Sequence, residues 1–372
     1  MADEKILPVA PGLPSVMAAA IDAVGLGGGA READRLALGL PTARRACVVL
    51  VDGLGIRQLR ERRGHAPTMR GLGLDREITS VVPSTTAAGI TAVGTGEMPG
   101  QTAMIGYALK NPNDGSVFNL IAWNGEGVSA DTWQTVPTLA ESLGDPARLA
   151  IIQPRKFVGS GLTNAALRGA KAVVAETLEA RVDAAARELR GETEVVYLYW
   201  GDIDKTGHQY GWQSENWISE LEAFDAQFHR LLRTLPKGTL VVLTADHGMI
   251  DVEERLDIAR IETLTRGVDV VAGESRAVHL YTAEPDAVAD RWRAELGERA
   301  WVYTATEAIE AGMFGPTTQH TRSVMGDVLA FARNRLAIVD SRYQSDGAIG
   351  LIGVHGSLTP DEMYVPLIVE VC

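Results

Sequence analysis

The sequence predicts an α/β protein with a mostly parallel central sheet, helices on both of its faces, and a smaller inserted α+β subdomain. Three observations carry this. Short apolar runs of strand length recur, each bounded by Gly, Pro or charged residues. Helix-like stretches separate them, and that alternation is the signature of a doubly covered parallel sheet. After Met249 the rhythm breaks into shorter mixed elements, which marks an insertion.

The predicted sheet strands are Ala46 to Val51, Leu149 to Ile152, Val195 to Tyr199 and Leu240 to Thr244. The helix-like stretches are Ala170 to Leu189 and Trp217 to Leu235. In the second, Trp217, Leu221, Phe224, Phe228, Leu231 and Leu232 recur at three- and four-residue steps and form one apolar face. The run Gly25-Leu26-Gly27-Gly28-Gly29 reads as a loop. In the insertion, Ala277 to Thr282 and Ala300 to Tyr303 read as strands and Pro285 to Leu296 as a helix, while Val328 to Ala332 and Leu336 to Val339 read as a hairpin. The predicted organisation is therefore a main domain of residues 1–250 and 346–372, interrupted by a subdomain of residues 251–345.

Composition narrows the function. Of 372 residues, 46% are hydrophobic, ample for a sizeable core. With 48 acidic and 35 basic residues the net charge is −13, which disfavours nucleic-acid polymers and anionic membranes as partners. A small anionic substrate stays open, because bound cations reverse the local sign. Cys47 and Cys372 are the two cysteines, too few for a disulfide framework or a Cys-based zinc ribbon. The stretch Met1 to Leu13 is charged early and contains Pro8 and Pro11, unlike a signal peptide, and no long apolar run suits a membrane span. The expected location is the cytoplasm.

Four segments place polar ligands at strand ends. Asp52-Gly53 follows Val48 to Val51, in the position where open α/β sheets collect ligands, although Asp52 alone would serve equally as a helix cap. Pro83-Ser84-Thr85-Thr86 offers three hydroxyls at an apparent strand-to-helix turn, suited to an anion or to simple capping. Asp204-Lys205-Thr206-Gly207-His208 brings a carboxylate and an imidazole to one metal if the chain turns helically between them. Asp246-His247-Gly248-Met249 delivers two neighbouring ligands from a strand of buried type, a donor pair that suits zinc or manganese. His355, between Val354 and Gly356, completes a set of three carboxylates and three imidazoles. That set suffices for two divalent metals with open positions for substrate.

These segments, in this order, resemble the alkaline phosphatase superfamily and, within it, the type I phosphodiesterase/nucleotide pyrophosphatase family. The resemblance extends from Asp52 to His355. It implies an alkaline-phosphatase-like sheet, with Asp204, His208 and His355 on one metal and Asp52, Asp246 and His247 on the other. It also implies that Thr86, the last residue of the Pro-x-x-Thr turn, is the nucleophile. The implied reaction is in-line attack by Thr86 on a small-molecule nucleotide or other phosphodiester, then hydrolysis of the phosphothreonine by water. Soluble cyclic di-AMP hydrolases of the family share this compact layout.

Two departures concern phosphate recognition. Ala88-Gly89-Ile90 stands where the family usually has Pro-Asn-His, and a gapless count puts Tyr107 where it usually has a phosphate-binding asparagine. Neither cysteine lies in a sulfatase-like context, and no arginine closely follows Thr86 as in classical alkaline phosphatases. Phosphonate hydrolases and phosphomonoesterases of the superfamily are the alternative enzymes, and a non-catalytic nucleotide-binding protein on the same fold is the alternative of another class.

Overall fold

Six strands form the central sheet of the computed structural model, which describes residues 4–372. The first three residues of the Met1 to Leu13 stretch lie outside the described residues. Across the sheet the order is Ile368–Val371, Thr239–Thr244, Arg45–Val51, Val195–Trp200, Leu149–Gln153 and Lys171–Val174. Neighbours run parallel except Ile368–Val371, which pairs antiparallel with Thr239–Thr244 along one edge. The central strands do not alternate in polarity because both faces are covered: every residue of Thr239–Thr244, and all but the first of Arg45–Val51, is buried.

The helix Glu215–Thr234 shows how one covering element forms. The Ser214 hydroxyl accepts from the Trp217 amide at 3.2 Å and caps the first turn. Its apolar stripe then buries Trp217, Leu221, Phe224, Phe228 and Leu231 in the core shared with the sheet. By contrast, the stretch Ala170 to Leu189 is not one helix. Lys171–Val174 is an edge strand parallel to Leu149–Gln153, and only Leu178–Glu188 is helical, started by a Thr177 cap. The β-branched pair Val173-Val174 suits an edge strand, and the helical-looking composition around it hid the break.

A second, antiparallel sheet has the order Val270–Glu274, Ala277–Tyr281, Val328–Ala332 and Ala300–Thr304. Helix Pro285–Leu296 buries Val288, Ala289, Trp292 and Leu296 against it. The expected hairpin of Val328 to Ala332 with Leu336 to Val339 does not form. Leu336–Val339 instead pairs parallel with Glu254–Asp257. The buried Arg276 guanidinium donates to the Leu336 carbonyl while paired with Glu362 at 2.7 Å, which gives that carbonyl a partner outside any hairpin ladder. The chain returns to the main sheet through Gly353–Val354, antiparallel to Ile250–Asp251. That short pairing places His355 near the carboxyl ends of the central strands.

Candidate active site

Strands Arg45–Val51, Val195–Trp200 and Thr239–Thr244 lie side by side and end at the same edge. Asp52 directly follows the first of them, and Asp246 and His247 follow the third within three residues. After the second, the chain enters helix Asp202–Tyr210, so Asp204 and His208 stand one turn apart on one face. Gly53, at φ +74°, and Gly89 keep this cluster tight. A Cβ at Gly53 would sit 2.9 Å from the Asp204 Cβ, and one at Gly89 would sit 2.7 Å from the Asp246 Cβ.

All six predicted ligands converge. Ligand atoms of Asp52, Asp246 and His247 lie within 4.8 Å of one another, as do those of Asp204, His247 and His355. His247 is thus central to both groups: its Nε2 is 3.3 Å from Asp52 Oδ1 and 3.6 Å from Asp246 Oδ2, and its ring stacks on His355 at 3.6 Å. His208 joins at the margin, with Nε2 3.2 Å from Asp204 Oδ2. The expected grouping of Asp204, His208 and His355 therefore has His247 beside it as well.

The donor atoms are arranged for cations. Each histidine has Nδ1 against a backbone carbonyl: Gly353 for His208 at 2.7 Å, Gly248 for His247 at 2.9 Å, and Ser84 for His355 at 2.9 Å. A carbonyl only accepts, so each Nδ1 carries the proton and each Nε2 faces the cluster, the arrangement of metal-bound imidazoles. Each carboxylate has one oxygen engaged and one bare. Asp246 Oδ1 accepts from the Gly53 and His247 amides at 3.1 and 3.0 Å, and Asp52 Oδ2 accepts from the Tyr199 phenol. Asp246 Oδ2, Asp52 Oδ1 and Asp204 Oδ1 are shielded from water with no hydrogen-bond partner. Three such oxygens in one buried cluster are costly unless a cation meets them.

The same crowding perturbs the titrations. Burial works against charging His247, yet Asp246 and Asp52 together raise its pKa to about 10. Burial likewise opposes charge on His208, and Asp204 overrides it to give about 9. Burial and the neighbouring His247 charge push His355 well below the usual imidazole value. Burial, reinforced by Asp52, raises Asp246 far above an ordinary carboxylate. Asp204 also feels burial, but His208 holds it below the usual carboxylate range.

Thr86 opens helix Thr86–Thr95, with Thr85 as its extended N-cap residue. Its Oγ1 is 3.2 Å from His247 Nε2. The other two hydroxyls of the turn are placed differently. Ser84 Oγ donates to the Ser357 carbonyl at 2.7 Å, and the Thr85 hydroxyl faces Glu274. Thr86 therefore has the cluster beside it and free helix N–H groups behind it.

A cavity of about 830 Å³ opens from Thr86, Asp204, His208 and His355. Tyr107 lines it and is 43% exposed, so the residue at the asparagine position stands on the cavity wall. Trp133, Trp200, Trp212 and Trp217 are buried in packing, and neither they nor Trp123 lines the cavity. Arg155 and Lys156 do not line it either, and Lys156 Nζ lies 4.8 Å from the Phe157 ring centre.

Two residues were missed by sequence reasoning. Tyr199 sits on strand Val195–Trp200, in register with Leu50, and its signal was only an apolar strand containing tyrosines. Glu274, from the antiparallel sheet, lines the cavity with both carboxylate oxygens shielded from solvent. Burial raises its pKa to about 8, against the pull of the Thr85 hydroxyl and His247. Nothing local in the sequence connects Glu274 to Thr85.

The model of the type I phosphodiesterase/nucleotide pyrophosphatase family matches residues 46–358. The chain is similar in structure to murine ectonucleotide pyrophosphatase/phosphodiesterase 5, with a TM-score of 0.68 and 16% identity over 87% of each chain. It is also similar to phosphonoacetate hydrolase from Sinorhizobium meliloti 1021, with a TM-score of 0.66 and 19% identity over 88% of this chain and 90% of that one. A stretch of 109 residues is 33% identical to phosphopentomutase from Shewanella oneidensis, covering 28% of this chain and 26% of that protein, so the chain spans about a quarter of that curated relative. Among the described residues no helix is long and apolar enough to cross a membrane.

Proposed function

The chain belongs to the type I phosphodiesterase/nucleotide pyrophosphatase family, whose members are phosphoric ester hydrolases dependent on divalent metals, and from that premise we propose that it hydrolyses nucleotide-type phosphodiesters with Thr86 as nucleophile. The observation that carries this reading is the set of three bare carboxylate oxygens facing three Nε2 atoms beside the Thr86 hydroxyl. Asp52, Asp246 and His247 would hold one cation, and Asp204, His208 and His355 the other; their mixed N/O donors suit zinc or manganese. When bound, the cations would supply Lewis-acid stabilisation of the phosphoryl oxygens and make the Thr86 hydroxyl easier to ionise.

The protein's own groups account for the rest. The helix start at Thr86 favours the phosphoryl anion. Thr86 Oγ1 forms a bond to phosphorus as the bond to the departing arm breaks. The hydroxyl proton ends on the displaced alcohol, and water then cleaves the phosphothreonine and restores the hydroxyl. We assign this chemistry to residues 1–250 and 346–372, and contacts to the substrate arm to Tyr107 of that part together with cavity-lining residues of 251–345. The two cysteines, Cys47 and Cys372, too few for a disulfide framework, fit the cytoplasmic setting we propose.

The test is the metal-reconstituted protein assayed on bis-p-nitrophenyl phosphate and p-nitrophenyl phosphate, then on cyclic di-AMP, its linear dinucleotide and ATP. A higher kcat/KM on the diester supports the reading, because that ratio measures differential transition-state binding. Preference for the monoester overturns it in favour of a phosphomonoesterase. The likeness to phosphonoacetate hydrolase favours one further reading, phosphonate cleavage, and turnover of phosphonoacetate without diester turnover would establish that instead.

A further inference from the structure

The turn between strands Val270–Glu274 and Ala277–Tyr281 has two residues, Ser275 and Arg276, because Glu274 pairs directly with Ala277. Connecting segments ordinarily meet solvent, yet the Arg276 side chain is fully buried. Its guanidinium meets Glu362, equally buried, through Nε to Oε1 at 3.0 Å and Nη2 to Oε2 at 2.7 Å. The pair crosses between two parts of the molecule. Arg276 belongs to the antiparallel sheet, and Glu362 to the short helix Pro360–Met363 that precedes the edge strand of the main sheet.

Glu362 in turn holds both segments that carry the central histidines. Its Oε1 accepts from the Ser357 amide at 3.0 Å, and its backbone carbonyl accepts from the Gly248 amide at 2.8 Å. Gly248 supplies the carbonyl that accepts from His247 Nδ1. The Ser357 carbonyl accepts from Ser84 Oγ at 2.7 Å, and the Ser84 carbonyl accepts from His355 Nδ1 at 2.9 Å. A Cβ at Gly248 would sit 2.0 Å from the Asp361 carbonyl oxygen, so these segments pack backbone to backbone. Ser357 Oγ also donates to the Ala332 carbonyl at 2.6 Å, and the Ala332 amide donates to the Arg276 carbonyl at 2.9 Å, which closes a loop of contacts through both sheets' segments.

Resting on the two-cation reading of the site, we propose that Arg276 and Glu362 are positioning residues for the metal cluster, coupling the seating of the antiparallel sheet to the placement of His247 and His355. Stability alone is a weak reason for such a pair, because apolar residues of the same volume often serve a buried position as well. A bidentate guanidinium–carboxylate contact instead fixes direction. Glu362 passes that direction to the Gly248 and Ser357 amides, and these lead to the two imidazoles within one or two further hydrogen bonds. Outer partners of this kind set the orientation of metal-binding rings. Linkage is reciprocal, so zinc in the cluster tightens the seating of the antiparallel sheet by the factor that the seating tightens zinc.

The experiment titrates zinc by calorimetry into the full chain after chelator treatment, with melting temperature measured on the same samples. Arg276→Met combined with Glu362→Leu removes both charges together, so neither is left buried alone. That double variant should keep a cooperative thermal transition and bind zinc about tenfold or more weakly. Arg276→Lys keeps a cation against Glu362 but loses the fork, and its zinc affinity should fall between those of the unaltered chain and the double variant. A folded double variant with the zinc affinity of the unaltered chain would overturn the proposal, even with a lowered melting temperature, because that is the behaviour of a merely structural pair. Where the double variant does not fold, Arg276→Lys decides, and unchanged zinc affinity in it would overturn the proposal. No zinc bound by the unaltered chain would overturn the two-cation reading and this inference with it.

Discussion

The Tyr199 phenol donates to Asp52 Oδ2 and leaves Asp52 Oδ1 as a bare oxygen, 3.3 Å from His247 Nε2. One carboxylate is thereby split into an oxygen held by the protein and an oxygen aimed into the cluster. Groups that orient metal ligands in this way contribute strongly to affinity. Tyr199→Phe should therefore weaken metal binding about 10- to 100-fold while the fold persists. Calorimetric titration of zinc into chelator-treated protein reads this directly. Unchanged affinity would reduce Tyr199 to a packing residue.

On the proposed mechanism Thr86→Ala removes the attacking oxygen, so it should lower kcat by several orders of magnitude, with metal content intact. Ser84→Ala and Thr85→Ala should cost far less, because those hydroxyls face Ser357 and Glu274 rather than the cluster. An inactive Thr85→Ala beside an active Thr86→Ala would move the nucleophile by one residue.

Asp246→Asn keeps an oxygen available to the Gly53 and His247 amides but puts an amide NH₂ in place of the bare Oδ2. Metal content measured after gel filtration should fall and turnover should vanish, because a neutral amide is a poorer ligand. Wild-type rates at saturating metal would show that Asp246 is only structural.

The raised histidines set a pH dependence of opposite sign with and without metal. His208 and His247 bind protons up to about pH 9 and 10. A pKa raised on folding adds stability that is fully present below the unfolded value of about 6.5 and is lost as pH rises through the folded one. Chelator-treated protein should therefore melt at a higher temperature at about pH 6 than at about pH 10. The raised Asp246 acts in the same direction, since ionising it costs more in the fold than out of it. Zinc needs Nε2 deprotonated, so its binding at neutral pH should release protons and tighten as pH rises. Zinc titrations in buffers of different ionisation enthalpy measure that release. A heat independent of buffer would contradict the assigned protonation.

Much of this protein could be read from its chain. Apolar runs ending in Asp52, in the Asp202–Tyr210 helix and in Asp246-His247 announced a parallel sheet with candidate ligands at its carboxyl edge, because strand and helix periodicity are local properties. Asp204 and His208 at one-turn spacing needed only a helix between them, and that helix is present. The boundary inside Ala170 to Leu189 was not legible, because an edge strand is defined by its neighbour Leu149–Gln153 rather than by its own composition. The partner of Leu336–Val339 was misread for the same reason: Glu254–Asp257 is distant in sequence.

Which atom of each candidate ligand faces inward follows from contacts between segments distant in the chain. Asp246 presents Oδ2 because the Gly53 amide, 193 residues away, holds Oδ1. Asp52 presents Oδ1 because Tyr199 arrives on the adjacent strand. His247 stands between the two ligand groups, and Glu274 reaches the cavity beside Thr86 from a separate sheet. Residue types and local periodicity set the kinds of donor atoms and the elements that carry them. Their orientation depends on hydrogen-bond partners that chain folding brings together, and residue type and spacing do not encode those partners.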